Sequence, residues 1–338
     1  MELATAVRVP AKRVRTLALR SAIGLVAGAL LLLTFLRLTN LNGVLVRLEH
    51  LSVGYALLCG FPFLAAYVVR ALRWRCFLRP DHVSVGRAVG IYQVATFVNW
   101  LLPVRGGEVV KCLLLRRTNG IPVGRSLATV SMDKAMDLLP AVVLLAVLPF
   151  AGLHLARALW VLLLTALAAV VLTAVLLGVA AWRRDVAQST LTKLLPDRIE
   201  PSMAQFVDTL AGLVRQPGLM VTAVGYTAVA VLLDALFCVL AFKAVGVAVA
   251  LPVVLYGYTF FNLAFILPTP PGQVGSNELV GLLLFAGALG MDKTGVGAMF
   301  VFSHPWTAVL MTISALACLS LMGISVGRAL RLARERES

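Results

Sequence analysis

The sequence predicts an all-α polytopic membrane protein, and three observations carry the prediction. Of its 338 residues, 60% are hydrophobic, and the mean hydropathy is +0.95. Apolar runs of about 20 residues recur along the chain, each long enough to cross a hydrocarbon core of ~30 Å. Lys and Arg gather at the ends of those runs rather than inside them. Soluble globular chains do not combine these features. The same charge placement argues against nucleic acid as the reason for a net charge of +15, because basic residues at span ends set topology and hold anionic headgroups.

Six full spans are expected near residues 20–39, 51–72, 126–150, 158–181, 218–243 and 296–322. The first follows a basic N-terminus (1–19). No small-residue cleavage site closes it, so it reads as a retained span. Two segments depart from the pattern. Residues 86–118 contain LLPVRGGEVVK (101–111), and residues 250–291 contain ILPTPPGQVGSNE (266–278). Each holds two short apolar pieces around a break. At 1.5 Å per residue, a 12-residue helix covers only ~18 Å and cannot cross alone. Two such pieces make a re-entrant helical hairpin.

Charge supports this arrangement. With the N-terminus inside, 24 basic residues fall on the inner side and five (Arg37, Arg47, Arg157, Lys243, Lys293) on the outer, with Lys134 in a span. Both termini are then cytoplasmic. Between the halves, residues 182–217 form the one sizeable polar stretch. There Met203, Phe206, Val207, Leu210 and Leu213 recur at helical spacing, which predicts an amphipathic helix on the inner surface. The expected organisation is a first membrane half (20–150), a span and connector (151–217), a second half (218–325) and a basic tail (326–338).

The two interrupted segments resemble one another. Tyr92, Asn99, Leu102-Pro103, Gly106-Gly107 and Glu108 find counterparts in Tyr258, Asn262, Leu267-Pro268, Gly272, Gly275 and Glu278. Each segment lies between two full spans, and the charge pattern makes them enter from opposite faces, an inverted repeat of the kind transporters use. Broken backbone at membrane depth survives only where protein buries it or a polar cavity receives it. The helix-breaking residues Pro103, Gly106, Gly107, Pro268, Pro270, Pro271, Gly272 and Gly275 are therefore expected to line such a cavity.

Nine ionisable groups are expected at membrane depth: Arg105, Glu108, Lys111, Asp133, Lys134, Asp137, Asp234, Glu278 and His304. Each costs at least ~2.5–3.5 kcal/mol at a span centre unless paired or hydrated, so a shared groove is required. Asp133 and Asp137 share a helix face, with Arg105 and Lys111 as candidate partners. Glu108 and Glu278 fall in the first turn after a break. There they either complement the helix dipole or flank a phosphate site with Arg105 as forked donor. His304 has two readings, a hydrogen-bonded structural residue or a proton carrier, and Asp234 has no partner visible in the sequence. Arg70, Arg73, Arg75, Arg79, Arg116 and Arg117 read as topology and headgroup anchors. The five scattered cysteines form neither a metal site nor a disulfide framework. Gly24 and Gly28 make a small-residue face too common in spans to decide an oligomeric state.

The run LPVRGGEVVK with the later TVSMDKAMDLL, and the run PTPPGQVGSNE, resemble the two motif blocks of the flippase-like membrane domain of lysylphosphatidylglycerol synthases. That resemblance covers roughly residues 15–325. It implies movement of an anionic, aminoacylated or glycan-linked lipid between leaflets of the cell membrane. By position, Arg105, Glu108, Lys111, Asp133, Lys134, Asp137, Gly272, Gly275 and Glu278 match motif positions. Lys111, Asp133 and Lys134 stand where Arg, Glu and Arg are usual, and His304 where relatives often carry Arg. The synthases' aminoacyltransferase domain has no counterpart before the chain ends, so synthesis of lysyl-lipid is not expected here.

The leading expectation is thus a lipid translocator without cofactor, acting on a lipid with a phosphate-containing headgroup. A partner lipid-modifying enzyme is a further possibility. No GxxxxGK[ST] is present to bind ATP. Two alternatives stand beside it: an intramembrane Mg2+-dependent prenyl or phosphatidyl transferase using the DxxxD of Asp133 and Asp137, and a non-transporting scaffold.

Overall fold

Helices dominate for a reason the solvent imposes: in hydrocarbon every backbone N–H and C=O needs an internal partner, and a helix supplies it locally. A computed structural model describes residues 11–102, 106–147, 199–265 and 269–323, with isolated positions between 164 and 196. The expected span at 158–181 and the tail 326–338 lie largely or wholly outside the described residues, as do Pro103, Arg105 and Pro268.

All regular structure among the described residues is helical. The order is α1 (Ala11–Leu38), α2 (Leu41–Glu49), α3 (Val53–Phe77), α4 (Val85–Leu101), α5 (Gly107–Asn119), α6 (Val123–Val147), α7 (Glu200–Val214), α8 (Pro217–Ala244) and α9 (Leu251–Ala264). A 3-10 turn (Pro271–Gln273) then leads to α10 (Ser276–Gly281), which runs into a π-helical turn (Leu282–Ala288) before α11 (Lys293–Leu321). α3, α8 and α11 are long and apolar enough to cross a bilayer, and α1 with α2 makes a fourth candidate across an 88° bend. α6 is as long as α3 but carries Asp133, Lys134 and Asp137 in its middle.

The order long helix, broken pair, long helix occurs twice, in α3–α6 and in α8–α11. Contacts between the two sets are reciprocal. The first helices, α3 and α8, pack along one another; α4 packs on α11, and α9 packs on α6. An aromatic chain anchors the second set, with Phe242 on Phe285, Phe285 on Phe300 and Phe300 on Phe261 at ring-centroid distances of 5.4, 5.9 and 5.2 Å. A second cluster, with Trp74, Ile91, Leu114 and Leu115, ties α3, α4 and α5 together.

Two expectations change in detail. Beyond the first span the chain turns at Asn40, whose Oδ1 accepts from Gly43 N–H at 3.2 Å, and forms α2. The predicted amphipathic helix is present as α7, but Val207, Leu210 and Leu213 are buried by protein rather than offered to lipid. α7 packs on α6, where Leu210, Ala211 and Leu213 meet Phe77, Ala128, Met132 and Ala223. Periodicity reveals an apolar face but not what covers it.

Candidate functional site

The first break is built by close backbone approach. Gly107 opens α5, and its amide donates to Asn99 Oδ1 of α4 at 2.7 Å. A Cβ there would lie 2.1 Å from Ala95 O, so only glycine permits this contact. Asn99 Nδ2 donates to Glu108 Oε1 at 3.1 Å, which holds the glutamate in the first turn of α5.

Glu108 is one edge of an ion network spanning α3, α5, α6 and α8. Lys134 Nζ lies 3.2 Å from Glu108 Oε1 and 3.6 Å from Asp137 Oδ2. Arg73, 1% exposed, sits at the centre. Its Nε donates to Asp133 Oδ1 (2.9 Å), Nη1 to Thr227 Oγ1 (2.9 Å), and Nη2 to Asp137 Oδ1 (2.5 Å) and the Asp133 carbonyl (3.1 Å). Lys111 reaches Asp133 Oδ2 at 3.3 Å and places its ammonium 3.6 Å from the centroid of the Tyr92 ring. Arg70 forks onto Asp234, Nη2 to Oδ2 at 2.5 Å and Nη1 to Oδ1 at 3.3 Å, with Nε 3.8 Å from Asp137. The described network thus sets Arg70, Arg73, Lys111 and Lys134 against Glu108, Asp133, Asp137 and Asp234. Charges so matched lose less on desolvation than any one would alone.

The second break is held differently. Gly275 has φ +75° and a Cβ there would fall 2.3 Å from Gly28 O of α1, so glycine is required twice over. Gly28 faces this break, with Val274 O and Pro270 close to where its own Cβ would stand, so this part of the small-residue face serves the fold. Glu278 Oε2 accepts from Gly275 N–H at 2.8 Å. Its Oε1 meets His304 Nδ1 at 2.5 Å, and His304 Nε2 meets Gly272 O at 2.8 Å. The Trp100 ring stands edge-on to the imidazole, 6.5 Å between centroids.

Asn99 and Glu108 of the first construction and His304 of the second line one cavity of about 530 Å³, whereas Gly106, Gly107, Pro270, Pro271, Gly272 and Gly275, expected to line it, are not among its lining residues. Its lining includes Arg70, Lys134 and Asp137 from the network, and His304, Gln273 and Asn277. Trp100 and Glu108 also line it, and among the described residues Trp100 Nε1 and Glu108 Oε2 have no hydrogen-bond partner. The site can hold a charged or hydroxyl-bearing group, and Lys134, with 40% of its side chain exposed, is the most accessible cation of the network.

Of the predicted residues, Glu108, Lys111, Asp133, Lys134, Asp137 and Asp234 come together in the network, while Glu278 and His304 form the separate pair. Arg105 lies outside the described residues; of the two expected partners of the aspartates Lys111 is seen on Asp133, and Arg73, which was not expected there, reaches both Asp133 and Asp137. The reading of Arg70 and Arg73 as anchors is corrected: they are internal partners. The sequence held no signal for this, because Arg75 lies in the same 25-residue helix. Asp234 finds its partner in Arg70, 164 positions away. Asn99 belonged to the repeat pattern, yet its capping role needs the geometry of the break.

These features define a class: a helical membrane protein whose broken helices and internally paired charges enclose a polar cavity. Residues 21–315 match the family described as the lysylphosphatidylglycerol synthase TM region, and the chain belongs to that family. No curated protein and no solved structure matches it. Membership suggests a membrane location and a membrane lipid-related function.

Proposed function

We propose that the protein is a lipid translocator of the cell membrane, with six full spans and two re-entrant hairpins arranged as an inverted repeat and both termini cytoplasmic. The observation that carries the reading is one cavity lined both by ion-network residues (Arg70, Arg73, Glu108, Lys134, Asp137, Asp234) and by His304, the partner of Glu278. The reciprocal packing of the two helix sets supports the inverted repeat. A headgroup would enter the cavity while its acyl chains stay in the bilayer. Its phosphate would compete with Glu108 and Asp137 for Lys134, with Asp137 then keeping Arg73 and Glu108 keeping the Asn99 amide. The transferase alternative is weakened because Asp133 and Asp137 are already held by Arg73, Arg70, Lys111 and Lys134, which leaves their oxygens poorly placed for a divalent cation.

The test is reconstitution in liposomes with fluorescent phospholipids, aminoacyl-lipids or polyprenyl-phosphate sugars, reading leaflet exchange with dithionite or a headgroup-modifying enzyme. Faster exchange of one class, lost in Lys134→Gln, would support translocation and name the substrate. No exchange of any class would overturn it.

A further inference from the structure

The Glu278–His304 pair permits an unusually strict count of protons. Gly272 O can only accept, so His304 Nε2 carries a hydrogen in this contact. His304 Nδ1 and Glu278 Oε1, 2.5 Å apart, then need one proton between them. Either imidazolium donates to carboxylate, or carboxylic acid donates to neutral imidazole. Both forms are neutral overall and hold one shared proton. With that proton gone, a lone pair on Nδ1 would face a carboxylate oxygen, and the contact could not persist at this distance.

The contact also has a mechanical role. It joins α11 to the second break through two atoms of that break: Gly272 O receives Nε2, and Gly275 N–H is held by Glu278. His304 is followed by Pro305, which removes a backbone donor from α11 beside the contact. Glu278 and His304 are 6% and 7% exposed, yet His304 lines the cavity, which offers the proton a way out. Beyond Glu278, the ring packed directly on the imidazole is Trp100 of α4. The charged described residues sharing the cavity are Arg70 and Arg73 of α3, Glu108 of α5, Lys134 and Asp137 of α6, and Asp234 of α8, with the phenols Tyr67, Tyr92 and Tyr258. The six charges are engaged in their own network, which leaves the proton as the tie between Glu278 and His304.

We infer that Glu278 and His304 form a one-proton binding site that latches the second break to α11, so that lipid passage requires the proton to leave; this rests on the translocator reading. In the cycle the shared proton passes to cavity water, leaving neutral His304 and ionised Glu278. The break parts from α11, the headgroup crosses, and a proton taken up from the cavity restores the latch.

Two measurements test it. Histidine 15N NMR of the purified full-length protein, with the His304 signals assigned by their loss in His304→Gln, reads the proton directly. A single proton loss at Nδ1 is expected as the pH is raised. That step should vanish in Glu278→Gln, whose amide can donate to Nδ1 as a protonated carboxyl would. Leaflet exchange in liposomes reads the coupling. The wild-type rate should fall about tenfold per pH unit below the NMR step, the slope of one required deprotonation. Glu278→Gln should be slow at every pH, while His304→Gln should lose the pH dependence. No NMR step, or a wild-type rate indifferent to pH and matched by Glu278→Gln, would overturn the inference and leave translocation standing. An NMR step with no exchange of any lipid would overturn translocation and, with it, the coupling.

Discussion

Replacing Arg73 by Met should be the most damaging single change in the ion network. Arg73 is 1% exposed and makes four donor contacts, to Asp133 Oδ1, the Asp133 carbonyl, Asp137 Oδ1 and Thr227 Oγ1. Met fills much of the same volume but leaves Asp133, itself fully buried, with Lys111 at 3.3 Å as its remaining ion partner. Breaking a buried pair by deleting one partner costs ~3–5 kcal/mol, because a charge is left without compensation. The internal control is Arg125→Met, which removes an ion pair to Asp81 at 3.0 Å whose side chains are 31% and 27% exposed. Solvent screening should hold that loss to ~0–1 kcal/mol. Equilibrium unfolding by SDS in mixed micelles would compare the two. Adding Asp133→Asn to Arg73→Met should recover part of the loss by removing the stranded charge. If Arg73→Met costs no more than Arg125→Met, water reaches the network freely and the desolvated-cluster reasoning is wrong.

Three further outcomes are expected. Asp234→Asn removes the forked partner of Arg70 but leaves Asp137 nearby at 3.8 Å, so its cost should fall between those of the two arginine variants in the same titration. Gly275→Ala meets both a positive φ and a backbone oxygen 2.3 Å away, so it should lose well over the ~1 kcal/mol of an ordinary glycine effect. Gly212→Ala, with open space around it in α7, should be neutral or stabilising by ~0.5–1 kcal/mol, and equal unfolding midpoints for the two would contradict this packing. Lys134→Gln and Lys111→Met should separate function from stability. Lys134 is 40% exposed to the cavity side and its loss should abolish leaflet exchange with little unfolding, whereas Lys111 is 4% exposed and its loss should chiefly destabilise. The reverse pattern would move the headgroup contact to Lys111.

Much of this molecule is legible in its sequence because the bilayer imposes strong local rules. Apolar length marks helices, Pro-Gly clusters mark where they end, and ionisable residues inside apolar runs mark a polar site, each a property of adjacent residues. Hence α3, α8 and α11 lie where the spans at 51–72, 218–243 and 296–322 were expected, and Glu108 and Glu278 open the helices after the breaks. Tertiary packing decided the rest, because partnership depends on which way a helix is turned and what lies across from it. Arg70 and Arg73 carry the same composition signal as Arg75 and Arg79, which follow them, yet the packing of α3 on α6 and α8 turns them toward Asp133, Asp137 and Asp234. The α7 face reads alike whether lipid or α6 covers it. His304 was an isolated histidine in the sequence; only the meeting of α10 and α11 puts a carboxylate on one ring nitrogen and a backbone carbonyl on the other, and so makes its proton count.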